Sequence, residues 1–72
     1  MGECGTVYVA LLDEGTEVWR PVAVEQVGPG LFCLLGPVPE GERWQFQPGQ
    51  VVRCEGRAFA GGRALVAVAI HQ

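Results

Sequence analysis

Residues 6–27 read TVYVALLDEGTEVWRPVAVEQV, and the pattern of this stretch decides the fold. In Thr6–Leu12, Val7, Val9 and Leu11 alternate with Thr6, Tyr8 and Ala10, the period of two that marks a strand with one buried face. Asp13-Glu14-Gly15-Thr16 then reads as a tight hairpin turn, with Gly15 at the position that needs a positive φ, and Glu17–Val27 returns as a second strand. Val18, Val22 and Val24 share one face of that strand, which puts Trp19, Pro21, Ala23 and Val27 on the other. Pro21 has no N–H to give a ladder, so Trp19-Arg20-Pro21 is the expected irregularity, an edge or a bulge.

Working outward, Pro29-Gly30 and Pro48-Gly49 each place Pro before Gly, the pair preferred at the two central positions of a type II turn. Between them the sequence predicts a short strand over Leu31–Leu35, a loop over 36–41, and a strand over Glu42–Phe46 whose Trp44 and Phe46 point into the core. Gln50–Phe59 follows as a strand, and Gly61-Gly62 closes a hairpin into Arg63–Ile70. No window carries a helical period that outcompetes these. A chain of 72 residues holds one core, so residues 1–72 form a single domain. A flat sheet would leave Val and Trp wet on one face. Bends at Pro21 and Gly56 are therefore expected to close an all-β fold, a small SH3-like or related antiparallel β-barrel of about five to six strands.

Composition agrees with strands and narrows the chemistry. There are 11 Val against 7 Ala, with 11 Gly and 5 Pro to supply turns and no Lys at all. Five Arg against eight acids leave a net charge of −3, and Arg20, Arg43, Arg53, Arg57 and Arg63 are dispersed, which disfavours nucleic acid as a partner. Cys4, Cys33 and Cys54 are odd in number and lack the C-x-x-C spacing of zinc sites, so free thiols and no metal are expected. No apolar run is long enough to span a membrane or serve as a signal peptide, and a cytoplasmic location follows as the expectation. Met1-Gly2-Glu3-Cys4-Gly5-Thr6 matches the myristoylation pattern, yet no polybasic run supplies the second signal that stable anchoring requires.

Catalysis lacks its parts. There is no Ser, the single His is His71 next to the end of the sequence, and the Glu40/Glu42 pair sits at a loop-strand junction where solvated acids are expected. No glycine-rich run precedes a helix, so a nucleotide cradle is absent too, and no cofactor is expected. What remains is binding. Trp and Arg are enriched at interfaces, and Trp19, Arg20 and Pro21, with Phe32 as an apolar neighbour, are the expected contact surface. A domain this small gains from added burial, and with no disulfide or metal to help, a homo-oligomer is expected alongside an unidentified protein partner. The alternative is a nucleic-acid reader of SH3-like or OB-like type, with Trp19, Phe32 and Arg53 stacking on bases and neutralising phosphates.

The run Gly15-Thr16-Glu17-Val18-Trp19-Arg20-Pro21-Val22, with Val27-Gly28, Trp44-Gln45-Phe46-Gln47-Pro48-Gly49 and Val51-Val52-Arg53-Cys54, resembles a group of short bacterial single-domain β proteins, some encoded on mobile gene cassettes. The likeness covers most of the chain from Thr6 to Val68. It implies a bacterial β protein and assigns no catalytic or ligand-binding residue.

Overall fold

The computed structural model describes residues 4–12 and 18–71. Five strands follow one another: β1 (Cys4–Ala10), β2 (Trp19–Gly28), β3 (Leu31–Leu34), β4 (Val51–Phe59) and β5 (Gly62–Ile70). Each pairs antiparallel with the next, and β5 returns to β1 through one parallel pairing, Tyr8 with Val66, so the sheet is a ring. The expected Asp13–Thr16 turn and the Met1–Glu3 start lie outside the described residues.

The core sits inside the ring, as the alternation requires. Val7, Val9, Val22, Val24, Leu34, Val52, Cys54 and Ala67 point inward, and Trp44 and Phe46 complete the cluster. Among the described residues no buried side-chain nitrogen or oxygen lacks a partner. Gly30 and Gly49 take positive φ, 69° and 89°, as the Pro-Gly turns demand.

Three expectations need correction. The segment Glu42–Phe46 is not a strand. It meets the chain just past the end of β1 through one bridge, Leu11 with Trp44, in which the N–H of Leu12 donates to Arg43 and that of Gln45 donates to Ala10. The segment then turns away, because Gln47 and Gln50 close the next turn and Phe46 must reach the core. Trp44 and Phe46 are nevertheless buried, 4% and 6% exposed, as their alternation predicts.

Pro21 makes no bulge. The β1–β2 register runs unbroken from Ala10 with Trp19 to Cys4 with Glu25. The N–H of Leu35 donates to the C=O of Ala23, so the odd-numbered residues of β2 turn their backbone polar groups away from β1. At Pro21 that side lies beyond the reach of β3, whose pairing with β2 starts at Val24, and a missing N–H costs the ladder nothing. The bends fall elsewhere: Val27 and Val68 are the extra residues at the two register shifts, not Pro21 or Gly56. Finally, Val18 does not join the core cluster with Val22 and Val24.

Candidate groove on the outer face

The groove arises from a mismatch of strand lengths. β3 has four residues and pairs with β4 only from Val51 to Arg53, while β4 runs on to Phe59. Among the described residues its far half is therefore paired on one side alone, by β5, as a hairpin overhang. The N–H of Cys54 donates to Gly30 on the β3 side, so Glu55, Arg57 and Phe59 exchange backbone bonds with Val66, Ala64 and Gly62. On this alternation Arg63 and Leu65 turn their N–H and C=O groups away from β4.

The overhang lies against the outward side chains of β1 and β2. Phe59 meets Tyr8 at 5.6 Å between ring centroids and Trp19 at 6.0 Å, the latter edge-on at 78°. The Arg57 guanidinium rests over both rings, 5.2 Å from the Trp19 centroid and 5.8 Å from that of Phe59. Val66 is buried at this seam, outside the main core cluster. Tyr8, Val18, Trp19, Phe59, Gly62 and Ala64 are among the walls of an open groove of about 540 Å³.

The four expected interface residues do not form one patch. Trp19 is half-buried in the groove, and Pro21, exposed, stands on the same outward face opposite Tyr8. Arg20 points the other way, where its guanidinium grips the Glu42 carboxylate through Nε, at 3.1 Å, and through Nη2. Trp44 Nε1 donates to the same carboxylate at 3.0 Å, and these two donors, Arg20 first, hold the Glu42 pKa below its ordinary value. Phe32 packs against the core. Tyr8, Arg57 and Phe59 were missed in the sequence, although the unequal lengths of Leu31–Leu35 and Gln50–Phe59 already imply a strand end without a second neighbour.

Among the described residues no group of His, Cys, Asp and Glu could hold a metal ion. Cys54 is buried, which pushes its thiol up to about 11, and Cys33 is half-buried; both are free thiols. Among the described residues no helix is long and apolar enough to cross a membrane. Compared with protein-family models, curated proteins and solved structures, the chain matches none.

Proposed function

We propose that the protein is a non-enzymatic protein-interaction module, a small SH3-like β-barrel that works by docking another polypeptide in its outer groove. One observation carries this reading: an aromatic groove stands open beside a strand edge that has no backbone partner among the described residues. Aromatic rings offer large contact area at low entropy cost, and a free edge offers main-chain hydrogen bonds, the two ingredients of peptide capture. The nucleic-acid alternative has less support, because Arg20 is committed to Glu42 and Arg53 lies 4.0 Å from Glu55. Self-association belongs to the same proposal. Leu12, Val27, Leu35, Leu65, Val68 and Ile70 keep more than a third of their surface exposed and give a second copy apolar area to cover.

A photo-crosslinking residue at Ala60, on the exposed hairpin tip, tests the reading in the producing cell. Adducts with polypeptide are expected there and not at Glu40, on the exposed loop. Adducts with RNA, or equal yields at both positions, would sink it. Light scattering across a concentration range tests self-association, which a constant monomer mass excludes.

A further inference from the structure

Among the described residues Tyr8 with Val66 is the one backbone pairing between β1 and β5, and it leaves the start of β5 without a ladder partner on that side. Backbone alternation fixes which groups are open. Val66 spends its N–H and C=O on Glu55, so the parallel pairing to Tyr8 uses the flanking residues Leu65 and Ala67. Arg63 lies beyond that pairing, and among the described residues nothing accepts from its N–H or donates to its C=O.

The side chains sort by face. Gly62, Arg63 and Ala64 all line the aromatic groove, Gly62 and Ala64 on the face of Arg57 and Phe59, whereas the side chains of Arg63 and Leu65 alternate to the opposite face with those of Gly56 and Ala58. The Arg63 guanidinium lies across Gly56, close enough that a Cβ there would stand 3.3 Å from Nη2. Among the described residues it makes no ion pair, in a chain whose net charge is −3.

We infer that this edge captures an extended acidic segment of a different polypeptide as an added strand. The inference rests on the docking role proposed above and names the chemistry of the partner. The captured residue opposite Arg63 exchanges both backbone bonds with it and presents a carboxylate to its guanidinium. The residues before and after project to the other face and set apolar side chains against Trp19 and Phe59. Alternating acid and apolar residues are thus the matching pattern. A second copy is the wrong occupant, since the free stretch is so short that two copies pairing here would set Arg63 against Arg63, and like charges opposite one another repel.

Two capped heptapeptides test this, one alternating Glu with Val and the other Lys with Val, titrated into isotope-labelled protein and followed by NMR. The Glu peptide is expected to bind at least tenfold more tightly, to shift the Trp19 indole and to slow hydrogen exchange at the Arg63 N–H. Arg63→Glu, at an exposed position, is expected to reverse the preference. Equal binding of both peptides at the groove, or binding without protection of the Arg63 N–H, would overturn strand capture while leaving a docking role in place. If neither peptide perturbs the groove, the docking role at this site falls with it. Concentration-dependent protection of Arg63 in the protein alone would assign the edge to a second copy and also overturn the inference.

Discussion

Glu42 joins two distant parts of the chain, accepting from Arg20 of β2 and from the indole of the buried Trp44. A carboxylate whose folded pKa is lowered stabilises the fold above the ordinary value of 4.5, and that contribution is lost as pH falls through the lowered folded value. Glu42→Gln is therefore expected to destabilise at neutral pH and to converge on the wild type in strongly acid solution, as urea midpoints measured along the pH range will show. A gap that stays constant with pH would contradict the charge-based account. Cys54 behaves in the opposite sense. Burial raises its pKa to about 11, so its neutral thiol contributes fully below the ordinary thiol range and that contribution is lost as pH rises through about 11. Alkylation followed by peptide mapping should mark Cys33 well before Cys54, with denaturant removing the difference.

At the level of elements, turns and the overhang make separate demands. Gly49 holds φ at 89°, a conformation that disfavours any side chain, so Gly49→Ala is expected to cost about 1–2 kcal/mol. Gly61, outside the left-handed region with open space around its Cβ position, should accept Ala with little change. The overhang is pinned by rings, and a double-mutant cycle between Trp19→Leu and Phe59→Leu is expected to return a coupling of about 0.5–1.5 kcal/mol. A coupling near zero would mean that Phe59 rests on β2 without holding to it. The strands and both Pro-Gly turns were legible from alternation and turn chemistry, and so was the burial of Trp44 and Phe46. What was not legible is where the ladder stops. Alternation in Glu42–Phe46 resembles a strand because the same residues must bury two rings, and only the backbone route shows that a single bridge forms. Pro21 misled in a similar way: a missing donor suggests a bulge unless the register shows that its side of the strand has no acceptor to satisfy. Trp19 was read as the centre of a contact surface, but its companions Tyr8, Arg57 and Phe59 come from a different pairing of strands that no local pattern reports.

For the molecule as a whole, the sheet is antiparallel from strand to strand and becomes parallel at one place, where its first and last strands meet. Neighbouring strands join over short stretches of chain or across the long β3–β4 connection, whereas Tyr8 and Val66 are brought together from nearly the whole described length. Closing so long a loop costs entropy that, among the described residues, a single backbone pairing, the buried Val66 and the rings around Phe59 offset, so the seam is expected to be the last event in folding and the first in unfolding. Val66→Ala should then raise the unfolding rate and leave the folding rate almost untouched, as the two arms of a chevron plot will show. An equal loss on the folding arm would place the seam in the nucleus instead. The clasp that makes the ring also sets its lifetime.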